Sequence, residues 1–341
     1  MKKDKQIRNG YVGAYYDWET DKVVVWERDE QGRTAKTFKA PKYFYVPDEN
    51  GEYVSIYKDK LIRLDFDNQG EFKAALNQYR NKFESDIPPL FKVLMDEYYD
   101  SKPSKVHYAL LDIEWYTEAS RGWSSTKNPY GAITAVCIWQ SWTQRYKLYA
   151  VPPPTLEFKK LKNEKPFFRE DVDYLLCEDE SELLHYLVND IQDADIISGW
   201  NSEFADLPYI MKRIERTAPK LANKMSFIGC SPPKEGTTEK YGSEEVTYRL
   251  YGRSHIDYLD AFKKFTFEGR TSYSLENIAN DELDIPKMHY DGTLEELYKG
   301  THRPSVNNIS WEDTEKMEKM ARLNTQRELI RKELEKRKLS V

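Results

Sequence analysis

The sequence predicts an α/β (α+β) protein, in which a β-rich N-terminal domain is followed by a layer of mixed strands and helices. The first hundred residues contain short apolar runs separated by turn residues, which is typical of a β-meander. From about residue 104 onward strands alternate with amphipathic helices, which is typical of an α/β layer. A chain of 341 residues is also long enough for two hydrophobic cores.

The N-terminal domain is predicted to contain five strands and one helix. The strands are Tyr11–Tyr16, Val23–Arg28, Thr34–Ala40, Tyr43–Val46 and Tyr53–Tyr57. Phe72, Leu76, Tyr79 and Phe83 recur with helical spacing, and the Pro88-Pro89 pair ends that helix. A polar stretch at 100–104 then predicts a linker, so we place the first domain at 1–103.

The second domain is predicted from strand and helix patterns between 104 and 309. In chain order the first elements are a strand at Tyr108–Ile113, antiparallel neighbours at Ala132–Gln140 and Tyr146–Val151, and a helix capped by Asp179. They are followed by a buried strand at Asp195–Trp200, a helix from Asp206, further strand material at Val246–Tyr251 and Ile256, and a short helix at Leu275–Ala279. Residues 310–341 are highly charged with one apolar stripe, which predicts a C-terminal helix that is exposed or binds a partner.

Composition limits the classes of function. No apolar run approaches the roughly 20 residues of a membrane span, and no secretory signal follows the basic start, so we expect a cytoplasmic protein without a membrane partner. The three cysteines have no metal-binding spacing. A net charge of −6 disfavours a protein that coats DNA tightly, although divalent ions at an acidic site invert the local charge.

The first candidate site is the pair Asp112 and Glu114 at the end of an apolar strand. Residues i and i+2 of a strand point to the same face, so both carboxylates converge on one side. Hard oxygen ligands of this kind suit Mg²⁺ or Mn²⁺. The alternative is an edge strand with an acidic solvent face, and the spacing alone leaves both interpretations open.

The second candidate is Asp206, which follows a buried strand and the sequence Gly199-Trp200-Asn201. Strand ends are where α/β sheets gather their functional groups. The alternative is that Asp206 is only the N-cap of the following helix, a position that aspartate favours.

Several motifs together resemble the T4-type phage family B DNA polymerases. The motifs are Asp112-x-Glu114, the run G-W-N-x-x-x-x-D-x-P-Y-I from Gly199 to Ile210, Asp257-Tyr258, Lys263-Lys264-Phe265, Ser272–Leu275 and Tyr290-Asp291-Gly292. They occur in the family's order over nearly the whole chain. The resemblance implies that 104–309 is an RNase H-like 3′→5′ exonuclease domain acting on DNA in a phage-infected bacterial host.

The resemblance also implies roles for individual residues. Asp112, Glu114 and Asp206 correspond to catalytic acids that hold two divalent ions, Mg²⁺ or Mn²⁺, during hydrolysis of the terminal phosphodiester. Asn201 is expected to position the DNA strand. Phe204 is expected to stack on a frayed or single-stranded 3′ end, with a place in the hydrophobic core as the alternative.

The chain departs from the family at its third exonuclease motif, Y-x-x-x-D. Asp313 is the candidate for the fourth metal ligand, although Ile309 stands where the tyrosine is expected and Ser310-x-x-Asp313 also fits a helix cap. Ala205 replaces an aromatic residue before the second-motif acid.

Polymerase palm and fingers motifs do not occur in the sequence. We therefore expect the N-terminal and exonuclease portion of a split or truncated polymerase, with a separate polymerase chain as partner. Two alternatives stay open: a non-catalytic assembly or DNA-binding subunit with a vestigial site, and a partner that supplies the missing third motif.

Overall fold

The computed structural model describes residues 9–155, 158, 170–227, 230–240, 242–285, 287 and 293–299. Within these residues the N-terminal part contains two three-stranded antiparallel sheets. The first has β1 (Tyr11–Asp17), β2 (Lys22–Asp29) and β3 (Gly32–Lys39) in that order; the second has β4 (Tyr43–Pro47), β5 (Tyr53–Val54) and β6 (Lys60–Asp65) in the order β4-β6-β5. The predicted β-rich start is confirmed.

The predicted strand at Tyr53–Tyr57 is wrong beyond its second residue. Ser55 and Asp59 close a turn, in which the Ser55 amide donates to the Asp59 carbonyl at 2.9 Å. Lys58 adopts a left-handed φ of 72° inside this turn. The chain therefore leaves the sheet after Val54, and apolar spacing alone did not reveal the turn.

Two helices follow, where the sequence predicted one. The first, α1 (Gln69–Gln78), is capped by Asn68, whose side chain accepts a hydrogen bond from the Glu71 amide at 3.0 Å. Phe83 was predicted to lie in this helix, but it forms a β-bridge with Tyr45 instead. The second, α2 (Pro89–Tyr98), has Pro89 in its first turn, so the proline pair that was predicted to end a helix also begins one.

The second part of the chain is built on a six-stranded mixed sheet. The strands of this sheet are β7 (Tyr108–Trp115), β8 (Ile133–Gln140), β9 (Arg145–Ala150), β10 (Val172–Leu176), β11 (Ile196–Gly199) and β14 (Ser254–Asp257). A separate hairpin consists of β12 (Lys234–Lys240) and β13 (Ser243–Arg249). The sheet order is β10-β9-β8-β7-β11-β14, and β12 pairs with β13 alone. Because β7, β11 and β14 are parallel, their C-terminal ends meet at one edge, which we call the carboxyl edge. The predicted antiparallel strands β8 and β9 are confirmed, whereas β10 and β12 were missed.

Helices cover this sheet. They are α3 (Glu180–Asp190), α4 (Asp206–Thr217), α5 (Tyr258–Phe265), α6 (Leu275–Leu283) and α7 (Leu294–Lys299). Leu183, Leu187, Ile210 and Ile214 are fully buried in one core with the sheet, and each such side chain contributes about 1.5–3 kcal/mol on burial. Among the described helices, none has the length and apolar character needed to cross a membrane.

A buried ion pair joins the N-terminal part to the six-stranded sheet. Arg28 on β2 donates to both carboxylate oxygens of Asp195, from Nε at 2.8 Å and from Nη2 at 2.9 Å. The His107 amide donates to the same carboxylate at 2.8 Å. Arg33 Nη1 also lies 3.3 Å from Asp195 Oδ1. Asp195 is fully buried, so its charge depends on these three partners for compensation.

We predict that Arg28→Ala lowers the free energy of unfolding by up to about 3–5 kcal/mol, because the buried Asp195 carboxylate loses its bidentate partner and keeps only the ion pair with Arg33 among the described residues. Arg145→Ala, which removes an exposed pair with Asp173, is the matched control and is expected to cost far less. Urea unfolding of each variant and of Arg28→Ala/Asp195→Ala measures the coupling. Additive effects of the two substitutions would contradict the prediction.

Candidate active site

The acidic pair lies on β7, in the interior of the six-stranded sheet. Leu111 and Ile113 are buried on one side of the strand, whereas Asp112 and Glu114 open on the other. The predicted convergence of the pair on one face is confirmed. Since β8 and β11 flank β7, the edge-strand interpretation is wrong.

Asp206 reaches the same region from the neighbouring parallel strand. β11 ends at Gly199, where a Cβ atom would lie 2.6 Å from the Leu111 carbonyl oxygen, so a larger residue would push the strands apart. Asp206 is the first residue of α4, and its Oδ1 accepts a hydrogen bond from the Ile113 amide at 3.3 Å. The N-cap is Ala205, without a side-chain cap, so the interpretation of Asp206 as a simple cap is wrong.

Burial and neighbouring negative charge disfavour the ionised forms of Asp206 and Asp112. Burial raises the pKa of Asp206 to about 7, and the nearby charge of Asp112 adds to this effect. The pKa of Asp112 is also raised, first by burial and then by Glu114, while Lys287 acts in the opposite direction. A bound cation would relieve this repulsion, and such perturbed groups in one cleft are typical of functional sites.

Charge and donor type fit a hard divalent cation. All three side chains offer carboxylate oxygens, and none of them forms an ion pair with a lysine or arginine among the described residues. No group of three or more His, Cys, Asp or Glu side chains in the same part of the chain is already arranged around one point. The three carboxylates therefore share one region of the described residues without forming a closed cluster there.

Tyr298 is a site residue that the sequence interpretation missed. Its hydroxyl donates to Glu114 Oε2 at 3.1 Å, and its ring packs edge-to-face on Tyr116 with centroids 6.1 Å apart. Burial and the charge of Glu114 raise the pKa of Tyr298, which keeps the hydroxyl protonated as a donor. A lone tyrosine six residues after Gly292 carries no pattern of its own, so only the fold could reveal this contact.

Contacts at both ends hold α7 beside the acids. The Glu295 carboxylate accepts a hydrogen bond from the Ala119 amide at 3.2 Å. At the other end, the Thr155 hydroxyl donates to the Lys299 carbonyl at 2.6 Å. Tyr298 is thus positioned between two anchored points.

The acids open into a cavity of about 1000 Å³ with mostly apolar walls. The lining includes Asp112, Glu114, Asp206, Trp115, Trp123, Val151, Pro152, Pro153, Pro154, Tyr298 and two lysines, Lys287 and Lys299. Lys299 is paired with Glu295, whereas Lys287 acts electrostatically on Asp112. Lys287 was not recognised from the sequence, because an isolated lysine between two motifs has no distinguishing spacing.

The turn after β11 carries the two predicted DNA-binding residues. Asn201 has a left-handed φ of 58°, and its backbone amide donates to the Asp257 carboxylate at 3.0 Å. Phe204 is partly exposed, and the Lys240 ammonium lies 3.5 Å from its ring centroid. Asp257 also caps α5, where its side chain accepts a hydrogen bond from the Leu259 backbone amide.

Two sequence predictions lie outside the described residues. They are Asp313, the candidate fourth ligand, and the C-terminal helix at 310–341. The Tyr290-Asp291-Gly292 motif also falls there. These assignments stay predictions.

Parts of this chain are similar in sequence to known proteins. A family model described as DNA polymerase family B, exonuclease domain, matches residues 68–278. The DNA-directed DNA polymerase of Escherichia phage RB69 is 36% identical over 142 residues, covering 38% of this chain and 14% of that polymerase. The DNA-directed DNA polymerase of Enterobacteria phage T4 is 34% identical over 152 residues, covering 43% of this chain and 17% of that polymerase. The match thus spans less than a fifth of either relative.

We predict that Asp206→Asn makes the metal-free protein more stable at pH 8 but not at pH 4. The folded-state pKa of about 7 is raised above the ordinary 3.8, so protonated Asp206 stabilises the fold and this stability is lost as pH rises toward and through 7. The shift corresponds to at most about 4 kcal/mol. Thermal unfolding in EDTA between pH 4 and 8 measures it.

Asp173→Asn is the control for this titration. Arg145 lowers the pKa of Asp173, so this substitution is expected to act in the opposite direction, with a loss of stability above pH 4. Parallel stability curves for the unsubstituted protein and Asp206→Asn would contradict the prediction.

Proposed function

The chain belongs to the exonuclease domain family of the family B DNA polymerases, and we propose that it is a metal-dependent exonuclease that removes nucleotides from the 3′ end of DNA. The observation that carries this proposal is the meeting of Asp112, Glu114 and Asp206 in one cavity. Asp112 and Glu114 lie on β7, and Asp206 begins the helix that follows the adjacent parallel strand β11. Water would attack the terminal phosphodiester, break the bond to the 3′ oxygen and release a nucleoside 5′-monophosphate.

Asp112, Glu114 and Asp206 would hold two divalent ions, Mg²⁺ or Mn²⁺. When bound, such ions activate water and neutralise the charge that develops on the leaving 3′ oxygen. Tyr298 orients Glu114 by donating to one carboxylate oxygen, which leaves the other oxygen available as a ligand. The Ile113 amide restrains Asp206 in the same way.

The cavity walls and Lys287 are suited to a terminal nucleotide. Lys287 places a positive charge beside the acids, where it would contact the phosphate that is to be cleaved. Trp115 and Trp123 line the apolar wall and lie 6.0 Å apart in an edge-to-face contact, so an unpaired base can pack against an aromatic surface. Asn201 and Phe204, on the turn after β11, are proposed to guide the strand that leads to the cavity.

The alternative from the sequence, a non-catalytic assembly or DNA-binding subunit, depends on the fourth acid. Three acids line the cavity, and the fourth candidate, Asp313, is not among the residues that the structure describes. A separate polymerase-bearing chain as partner is likewise a proposal. Co-purification of such a chain with the tagged protein from infected cells would test it.

We predict stepwise, metal-dependent shortening of a 5′-labelled single-stranded oligonucleotide by the purified protein. Asp112→Ala should reduce the rate by at least about a hundredfold, because it removes a ligand that stabilises the transition state. A denaturing gel with Mg²⁺, Mn²⁺ or EDTA gives the readout, and Asp173→Ala is an acid-deletion control away from the cavity. Equal rates for the protein and Asp112→Ala would reject the exonuclease and support the non-catalytic alternative. Asp313→Ala beside Glu312→Ala then tests the fourth ligand.

We predict that Lys287→Gln weakens hydrolysis while Lys299→Gln has little effect. Both lysines line the cavity, but Lys299 is held by Glu295 whereas Lys287 faces the acids. Loss of one charge-assisted phosphate contact corresponds to about 1.5–3 kcal/mol, or roughly 10- to 100-fold in kcat/KM. Initial rates at several oligonucleotide concentrations measure it, and equal effects of the two substitutions would contradict the assigned role.

A further inference from the structure

We infer that α5 and the residues after it form a binding surface for single-stranded DNA beside the acidic cavity. The surface, which we call the α5 platform, comprises Tyr258, Lys263, Lys264, Phe265 and Phe267. This inference rests on the proposed function, because the platform would hold the strand whose 3′ end enters the cavity.

The fold attaches the platform to the carboxyl edge of the sheet. Asp257, the last residue of β14, accepts hydrogen bonds from the amides of Asn201 at 3.0 Å, Glu203 at 3.0 Å and Leu259 at 2.9 Å. One buried carboxylate therefore joins the turn after β11 to the first turn of α5. That turn leads directly to Asp206, so the platform and the acids are parts of one edge.

The aromatic members of the platform are unusually exposed. Tyr258 is 56% exposed, Phe265 is 74% exposed and Phe267 is 98% exposed. Tyr258 and Phe265 are seven residues apart, so they lie on the same side of the helix about 10 Å apart along its axis. Grouped exposed aromatic side chains are unfavourable in water and indicate a binding surface.

The two lysines give this surface a positive charge, Lys264 beside a ring of the platform and Lys263 beside the neighbouring ring of Tyr273. The Lys263 ammonium lies 4.8 Å from the ring centroid of Tyr273, and the Lys264 ammonium lies 5.7 Å from that of Phe265. Neither lysine forms an ion pair with a carboxylate in the described residues. Their N–H groups are therefore available to an external anion.

The charges around the platform limit how tightly it binds. Asp260 lies one turn before the lysines on α5, and Glu268 and Glu282 are paired with Arg270. The local positive charge is consequently small. This suits a strand that must move by one nucleotide after each hydrolysis, and it agrees with a chain whose net charge is −6.

The combination of features favours single-stranded DNA over other partners. Exposed rings can stack on unpaired bases whatever their sequence, while adjacent ammonium groups contact the phosphates between them. A duplex keeps its base faces stacked internally, so it would leave the rings of the platform exposed. A protein partner that buried the rings would also have to bury or pair both lysines.

Equilibrium binding of a fluorescent oligo-dT to the full chain in EDTA tests the inference without hydrolysis. Lys263→Gln/Lys264→Gln should reduce the magnitude of the slope of log K against log[salt] by about 1.4, because each phosphate contact to a single strand contributes about 0.7 to that slope. Phe265→Ala/Phe267→Ala should weaken binding at least about thirtyfold, because each lost stack contributes about 1–3 kcal/mol, with little change in salt dependence. Lys60→Gln/Lys73→Gln, at exposed positions on β6 and α1, changes the net charge equally and should bind like the unsubstituted protein.

Each outcome decides the inference separately from the exonuclease proposal. Platform variants that match the control pair in both affinity and salt dependence would overturn the inference, including the case in which the rings serve a protein partner. Weaker binding by the platform variants alone would support it. A failure of the proposed function would appear instead as absent hydrolysis by the unsubstituted protein in Mg²⁺ or Mn²⁺, and thermal unfolding confirms that each variant is folded.

Discussion

The buried carboxylate of Asp195 is the constraint on which the arrangement of the site depends. It is compensated by Arg28, by Arg33 and by the His107 amide. The Asp195 carbonyl accepts a hydrogen bond from the Ser254 amide at 2.9 Å. These contacts fix the beginnings of β7, β11 and β14 beside β2. Because the three strands are parallel, a fixed register at their beginnings also sets which residues meet at their C-terminal ends. A buried pair of this kind contributes to the specificity of the fold more than to its stability.

The acidic edge stores unfavourable energy that the surrounding core must offset. Asp206 is 5% exposed at the start of a helix whose next residues are deeply buried. Tyr209, one turn later, stacks on Trp115 with ring centroids 4.4 Å apart. Its hydroxyl donates to the Gly131 carbonyl at 2.8 Å and forms a second hydrogen bond with the Ser124 hydroxyl at 2.7 Å. These contacts hold α4 in place although its first side chain is a carboxyl group whose ionised form is disfavoured. The unfavourable burial of the Asp206 carboxyl group is therefore offset by the packing of Tyr209 one turn away.

The local sequence pattern predicted those site residues whose positions follow from the periodicity of one strand or one helix. Alternation on β7 was sufficient to place Asp112 and Glu114 on one face, and the strand-to-helix turn located Asp206. The sequence did not reveal Tyr298 or Lys287, because their roles come from contacts across 184 residues in one case and from a shared cavity in the other. The same limit explains Phe83, whose helical spacing was overridden by pairing with β4. Tertiary contacts that carry no local periodicity are inaccessible to this kind of inference.

A negatively charged chain that acts on DNA must bind cations with its acids and also attract the phosphates of its substrate, and different residues are suited to these two tasks. The acids on β7 and α4 provide ligands for cations, but they also repel the phosphates of the substrate. Lys287 at the cavity and the lysines of α5 follow β14 in the chain. The carboxylate of Asp257 holds α5 against the turn that carries Asn201. Lys287 thus lies beside the acids without forming an ion pair with them among the described residues. If it formed an ion pair with Asp112 or Asp206, it would lower the pKa of that acid but would compete directly with divalent ions for the same oxygens.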